Sequence, residues 1–311
     1  MSKDCILVIG ASGQIGSVLT DALRQNYGES NVVASDIKAP ENNTGIFENL
    51  NILDAKRLAE IVDQYKITQI YHLAAILSAK GEANPRGTWD FNMNSLFNVL
   101  ELAREKLIAK LYFPSSIAVF GPDAPKQNTP QNAVLNPSTV YGMSKVSGEH
   151  WSQYFWNRYQ LDIRSLRYPG IIGYQSLPGG GTTDYAVDIY HKAVHNEHFT
   201  CFLSEDTRLP MCYMDDAIRA TLEIMEADAS KLSIRTSYNL TGMDFTPKEI
   251  GAAIQQEIPS FTMSYQPDFR QAIADSWPQS IDDTAARTDW GWQPKFDLES
   301  MTKDMILHLQ K

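Results

Sequence analysis

Residues 5–16 read Cys5-Ile-Leu-Val-Ile9-Gly10-Ala-Ser-Gly13-Gln14-Ile15-Gly16, an apolar run that passes directly into three glycines spaced three apart. A strand covered on both faces has no solvent side to make polar, so residues 5–9 suit a buried parallel strand. Past the glycines, Ile15, Val18, Leu19, Ala22 and Leu23 share one stripe of a helix. The stretch therefore reads strand, tight turn, helix, and the same alternation continues outward from it.

A second strand is expected over 31–35, ending at Asp36, and a third over 67–75. Asp54 is placed to cap a helix whose buried stripe is Leu58, Ile61, Val62 and Tyr65. Leu96, Val99, Leu100, Ala103 and Leu107 line another helix, and 111–120 reads as a strand carrying Ser115 and Ser116. Helix over 141–159 and strand over 163–168 follow. This order predicts an α/β fold built on a doubly wound parallel sheet. After Tyr168 the texture changes: Pro169-Gly170 and Pro178-Gly-Gly-Gly181 break regular structure. Residues 215–227 read as one more helix, and 239–311, with several Pro and Trp, as a smaller α/β lobe.

A chain of 311 residues can bury a large core as one domain or two closely joined ones. A formal charge of −10 argues against non-specific nucleic-acid binding, which needs clustered Lys and Arg. No apolar run approaches the roughly 18 residues of a membrane span, and the lead-in Met-Ser-Lys-Asp does not read as a signal peptide. Cys5, Cys201 and Cys212 lack metal-like spacing and read as buried thiols of a reducing compartment. The six histidines show no ligand spacing either. The expectation is a soluble, cytoplasmic protein without a metal.

At a strand-to-helix turn, Gly10, Gly13 and Gly16 allow a tight bend, backbone approach to a pyrophosphate and close helix–strand packing. The helix N-terminus then offers N–H groups to the anion. Asp36 lies twenty residues after Gly16, where a carboxylate can accept from adenosine ribose hydroxyls and repel a 2′-phosphate; with Ile at 37, this favours NAD over NADP. Downstream, Tyr141-Gly-Met-Ser-Lys145 puts a phenol and an ammonium four apart on one helix face. A positive charge beside Tyr141 would favour phenolate and make it a proton-transfer group. Alone the pair is a weak pattern; beside a nucleotide turn it proposes hydride transfer with a tyrosine acid/base.

With GASGQIG (10–16), YHLAA (71–75), FNMNSLFNVLELA (91–103), PSSIAVFGP (114–122), YGMSK (141–145), LRYPGIIG (166–173) and YMDDA (213–217) in this order, the chain resembles the extended short-chain dehydrogenase/reductase superfamily. Within it, ILSAKGE (76–82), YPGIIGYQSLPGGGTTDYAVDIY (168–190) and WPQSIDDTAARTDWGW (277–292) are most similar to short-chain-type L-threonine 3-dehydrogenases. The resemblance implies a Rossmann-like domain over 1–168, joined by about 205–238, that binds NAD, and a substrate-binding lobe over 169–204 and 239–311. It implies oxidation of the threonine hydroxyl to 2-amino-3-ketobutyrate. Tyr141 would be the acid/base, Lys145 would stabilise the phenolate and hold nicotinamide ribose, and Ser116 would orient the reacting oxygen.

For the cofactor, the resemblance carries over Gln14 and Ile15 with the glycines, Asn51 and Ile52 at the adenine, and Leu73, Ala74 and Ala75 beneath the pyrophosphate and ribose. Tyr168 and Pro169 belong to the same set, as does Asn92, which could instead satisfy backbone groups. Ser115 is the neighbour of Ser116, and the following apolar stretch with Phe120-Gly121 selects Ser116. A zwitterionic substrate needs donors for its carboxylate and acceptors for its ammonium. Backbone N–H groups of 179–181, above all Gly181, with Thr182, Thr183 and Ser78, are candidate donors. Asp184 faces the ammonium or caps the next helix, and Trp277 closes the pocket or is structural. Asp215 and Asp216 read as structural. The aromatics Trp151, Tyr154, Phe155, Trp156 and Tyr159 pack a core or, by analogy, a homodimeric four-helix bundle.

Two readings compete. A nucleotide-sugar epimerase or dehydratase shares the fold, and its diphosphate would want a basic lobe; 169–200 holds only Lys192, while Arg208 keeps the option open. A non-catalytic NAD-sensing regulator would not need Tyr141, Lys145 and Ser116 together.

Overall fold

A computed structural model describes residues 4–40 and 44–310; Met1 to Lys3 of the lead-in lie outside the described residues. The opening apolar run forms β1 (Ile6–Ile9), buried at every position, and the helix after the glycines is α1 (Gln14–Tyr27). Cys5, half-buried, stands just before the strand. On one side β1 pairs in parallel with β2 (Val32–Asp36), and β2 with β3 (Phe47–Asn49). Asp54 accepts from the Arg57 N–H at 3.0 Å to cap α2 (Ala55–Tyr65). On the other side of β1 lie β4 (Gln69–His72), shorter than the expected 67–75, and β5 (Lys110–Tyr112). Between them run α3 (Ser78–Gly81) and α4 (Pro85–Glu105).

Two expectations needed correction. Leu107 does not line α4: the helix ends at Glu105, Leu107 turns to φ +53° and is 87% exposed, and Ile108 takes the buried place, its N–H donating to Ala103 O at 2.9 Å. A left-handed exit of this kind moves the apolar contact past the end of the regular repeat. Residues 111–120 are not one strand. Pro114 has no N–H for the ladder, so pairing stops after Tyr112, resumes in β6 (Ser115–Ser116), and ends in a 3₁₀ turn over Ile117–Val119. After α5 (Val140–Tyr159), the neighbouring strand splits into β7 (Ile163–Arg164) and β8 (Leu166–Tyr168). Leu111 faces Ile163 and Ser115 faces Arg167, the same offset on both sides of the gap, so the register survives the proline.

Beyond β9 (Gly170–Ile172) come α6 (Tyr185–Val194), β10 (Phe199–Cys201), β11 (Leu209–Tyr213), α7 (Met214–Glu226), β12 (Tyr238–Asn239) and β13 (Met243–Phe245). α8 (Pro247–Glu257), β14 (Met263–Tyr265), α9 (Arg270–Ser276), α10 (Thr284–Trp290) and α11 (Leu298–Leu309) end the chain. β12 pairs with β8, which extends the parallel sheet to the order β3-β2-β1-β4-β5/β6-β7/β8-β12. β9, β11 and β13 form a small mixed sheet, and β10 pairs with β14.

Successive side chains of a strand point to opposite faces, and β1 shows it: Ile6 and Val8 join the cluster under α1 and α7, Leu7 and Ile9 the cluster under α2, α4 and α5. Helices on both faces make the sheet doubly wound. A third cluster, holding Tyr185, Ile189, Ile250, Met301 and Trp277, lies among α6, α8, α9 and α11. No described helix is long and apolar enough to cross a membrane.

Candidate active site

Gly10 turns at φ +87°, and a Cβ there would stand 2.7 Å from Ala74 N. A Cβ on Gly16 would stand 2.1 Å from the Gly10 carbonyl oxygen, so α1 crosses the end of β1 closer than any side chain permits. Gly13 is the N-cap of α1 and no side chain caps it, which leaves the first-turn N–H groups for an external acceptor. At the rim, Asp36 accepts from Ser12 N (3.0 Å) and Ile37 N (2.7 Å), which aims its carboxylate beside the turn. This cradle fits a dinucleotide, its pyrophosphate on the helix N-terminus and a ribose at Asp36.

A cavity of about 250 Å³ opens from this turn at the C-terminal ends of β1, β4, β6 and β8. Gly10, Gly13, Gln14, Ile15 and Gly16 line one end; Leu73 and Ala75 lie along it, with Tyr168 and Pro169 opposite. At the other end stand Ser78, Ser116, Tyr141 and Lys145, facing Gly181, Thr182, Thr183, Asp184 and Trp277. Tyr141 and Lys145 come from the first turns of α5, which Thr139 caps by accepting from Gly142 N at 3.1 Å. Gly142 lets that helix press on the chain before it: a Cβ there would lie 2.2 Å from Ala118 O.

The two serines separate cleanly. The Ser115 hydroxyl donates to Glu149 Oε1 at 2.6 Å, whereas Ser116 accepts from Ala118 N at 3.2 Å and shares the cavity wall with Tyr141. Lys145 Nζ donates to Pro114 O at 2.6 Å and lies 5.5 Å from the Tyr141 ring centre. Burial pushes Tyr141 up to about 12, offset in part by Ser116. Burial also pulls Lys145 down to about 7, against the pull of Glu149. Burial thus disfavours the charged form of both groups, the Tyr141 phenolate and the Lys145 ammonium.

Five candidates lie outside the cavity wall. Asp36 is at the rim. Asn51 caps its own turn, its Oδ1 accepting from Leu53 N at 3.1 Å. Ile52 is buried under α4, where its carbonyl accepts from Asn98 Nδ2 at 2.9 Å. Ala74 backs Gly10. Asn92 grips the loop after β4, accepting from Ile76 N (2.9 Å) and donating to Ile76 O (3.1 Å) and Ser144 Oγ (3.1 Å). Tyr168 lines the cavity, but its hydroxyl turns inward to Thr221.

The glycine loop departs from expectation. Asp184 makes no cap bond to α6; its Oδ2 accepts from Gly180 N (2.7 Å) and Gly181 N (2.8 Å). Those two donors are spent inside the loop. Thr182, 1% exposed, instead has a hydroxyl oxygen without a partner among the described residues. Asp216 is structural: it accepts from Arg219 Nη2 (2.7 Å), Lys295 N (2.8 Å) and Phe296 N (3.0 Å), pinning the segment before α11. Arg208 is tied to Asp244 and Glu249, and Lys192 to Glu197. No three His, Cys, Asp or Glu side chains gather as a metal site among the described residues.

Sequence reasoning missed Glu149 and Arg167, a fully buried pair behind the site. The available signal was spacing, because Glu149 follows Lys145 by four and Tyr141 by eight and so shares their helix face.

Known proteins place this geometry. The pattern of the NAD dependent epimerase/dehydratase family matches residues 6–240. An uncharacterized epimerase/dehydratase of Staphylococcus aureus is 47% identical over 306 residues, covering 97% of this chain and 95% of its own. The holo form of a GalE-like L-threonine dehydrogenase from Cupriavidus necator has a TM-score of 0.97 at 53% identity, covering 98% of this chain and 99% of its own. A monomeric L-threonine 3-dehydrogenase from a metagenome, in its apo form, has a TM-score of 0.96 at 50% identity over 98% of each chain. The chain belongs to the NAD-dependent epimerase/dehydratase family of extended short-chain dehydrogenases/reductases, and its cofactor is NAD.

Proposed function

We propose that this chain oxidises the 3-hydroxyl of L-threonine to 2-amino-3-ketobutyrate, working as an NAD-dependent L-threonine 3-dehydrogenase. The observation that carries the reading is the convergence of Tyr141, Ser116 and Lys145 in one cavity with the unpaired Thr182 hydroxyl. Near-full-length likeness to two proteins described as L-threonine dehydrogenases supports the substrate.

NAD held on the glycine turn and Asp36 would supply the acceptor for the hydride of the carbinol carbon. The chain's own groups handle the proton and the orientation. Ser116 donates to the substrate oxygen and holds it against Tyr141, whose phenolate oxygen removes the hydroxyl proton. Lys145, in its charged form, favours that phenolate and offers donors to ribose hydroxyls. Thr182, with Thr183 and Ser78, supplies hydroxyls to the amino-acid end, in place of the spent Gly180 and Gly181 donors. The cofactor set retains the glycine turn, Asp36, Asn51, Ile52, Leu73–Ala75, Asn92, Tyr168 and Pro169. The NAD-binding part is residues 1–168 with about 205–238, and the remainder forms the substrate lobe.

Arg208 and Lys192 being paired with acids counts against the nucleotide-sugar reading, while the epimerase/dehydratase name of the family and of the Staphylococcus aureus relative counts for it. Exposed Trp151, Tyr154 and Tyr159 on α5, and Trp89 on the neighbouring α4, support a homodimer through these two helices. A monomer in sedimentation would remove that assignment.

NADH absorbance, followed with NAD across L-threonine, other 3-hydroxy acids and UDP-sugars, tests the substrate. L-threonine is expected to give the signal, and turnover of a UDP-sugar alone overturns the reading. Burial raises the Tyr141 pKa, and Tyr141 must lose its proton to act, so turnover rises with pH through the neutral range, where Lys145 still carries part of its charge. Tyr141→Phe lowers kcat by about 10³-fold, abolishes that rise and leaves NAD affinity within about twofold.

A further inference from the structure

We propose that Glu149 is a positioning residue whose single carboxylate, paired with Arg167, brackets the two elements that carry the reacting groups, β6 and α5, against β8. The inference rests on the proposed oxidation, and it concerns how the site is held rather than what it binds.

Glu149 is fully buried. Its Oε1 accepts from the Ser115 hydroxyl at 2.6 Å and from Arg167 Nε at 2.9 Å, and its Oε2 from Arg167 Nη2 at 2.8 Å. The three residues lie on three different elements: Ser115 on β6, Arg167 on β8, Glu149 on α5. Ser115 and Arg167 are register partners on adjacent strands. One step further along those strands stand Ser116 and Tyr168, themselves partners and both in the cavity wall. One turn back along the helix from Glu149 stands Lys145, and two turns back Tyr141. The carboxylate thus sits within one residue or one turn of a cavity-lining group of each element, Ser115 itself lying at the cavity's edge.

Arg167 is braced from behind, which makes the bracket stiff. Its Nη1 donates to Gln131 O at 2.9 Å and to Asn239 Oδ1 at 3.0 Å. The offset between Ser116 on β6 and the Tyr141–Lys145 face of α5 is therefore held in part through this carboxylate, and positions held to a fraction of an ångström govern the chemical step. Glu149 is also the charge that opposes burial at Lys145.

A buried ion pair is a risky target, since removing one partner strands the other. The experiment therefore uses Glu149→Gln, the neutral pair Glu149→Gln/Arg167→Met, and Ser115→Ala, which releases the β6 arm and leaves the ion pair whole. Thermal unfolding, NADH affinity and kcat are measured for each, on L-threonine or on whichever alcohol the NADH screen returns. The double variant is expected to recover the wild-type Tm but to keep kcat at least about tenfold down, with NADH affinity within about twofold. Ser115→Ala is expected to lose kcat while its Tm and NADH affinity stay near wild type. Recovery of both Tm and kcat in the double variant makes the pair a packing element and overturns the proposal. If the double variant does not fold, an unchanged kcat in Ser115→Ala overturns it instead. A wild-type protein inert toward L-threonine defeats the substrate reading and leaves the bracket to be judged on the other alcohol.

Discussion

Two glycine clusters face each other across the cavity, and they use their backbone N–H groups in opposite ways. At 10–16 the turn is held by backbone packing: Gly10 against Ala74, and Gly16 against Gly10. No side chain caps α1, so its first-turn donors stay available. At 179–181 the loop is held by a carboxylate, and Asp184 consumes the N–H groups of Gly180 and Gly181 to do it. Glycine next to a cavity is therefore not evidence of an anion site. What decides is whether something within the chain has already accepted the donors.

The comparison breaks hardest at Gly16. A Cβ there meets backbone on two sides, 2.1 Å from Gly10 O and 3.0 Å from Ala11 Cα, and backbone cannot step aside as a side-chain tip can. Gly16→Ala is expected to tilt α1 off β1, costing roughly 1–3 kcal/mol of stability and at least about 100-fold in NAD affinity. Calorimetric titration with NAD alongside thermal unfolding checks both; near wild-type NAD binding would mean that the pyrophosphate does not sit on this turn.

The substrate side yields at Asp184, with a smaller effect. Asp184→Ala frees the loop and is expected to raise the KM for threonine about tenfold, leaving NAD affinity alone. Both N–H groups share one carboxylate oxygen, so Asp184→Asn keeps a neutral oxygen acceptor for them and should cost only about threefold. If Asn proves as damaging as Ala, the negative charge itself is what matters, and Asp184 returns as the partner of the substrate ammonium.

Much of the nucleotide half was legible because its signals are local. A buried strand, three glycines and a carboxylate after the second strand each constrain backbone within a few residues. Pro114 broke the strand expected over 111–120 for a reason visible in its own chemistry, and Ile108 displaced Leu107 once the left-handed exit from α4 intervened. The substrate half depends on who bonds to whom across the fold. Nothing within 178–184 says that Asp184 folds back onto its own glycines rather than forward onto α6. Glu149 and Arg167 are eighteen residues apart and look like ordinary helix and strand charges until β6 and β8 come together beneath α5. The pKa of Tyr141 escaped for the same reason, because burial is a property of the assembled site.

Gly179 gives the smallest and sharpest contrast. It belongs to the loop whose glycines looked most like a carboxylate cradle, yet the nearest atom to a Cβ built on it is Asp184 Oδ2, at 3.9 Å, which is ordinary contact. Its φ also lies outside the left-handed range that Gly180 occupies at +94°. An alanine here meets no obstruction and reduces the freedom of the unfolded chain, a change of roughly 0.4–1 kcal/mol toward stability. Gly179→Ala is therefore expected to leave KM and kcat within about twofold and to leave Tm unchanged or slightly raised. A large rise in the threonine KM would show that this glycine meets the substrate directly, and the difference drawn here between the two clusters would then narrow to Gly180 and Gly181 alone.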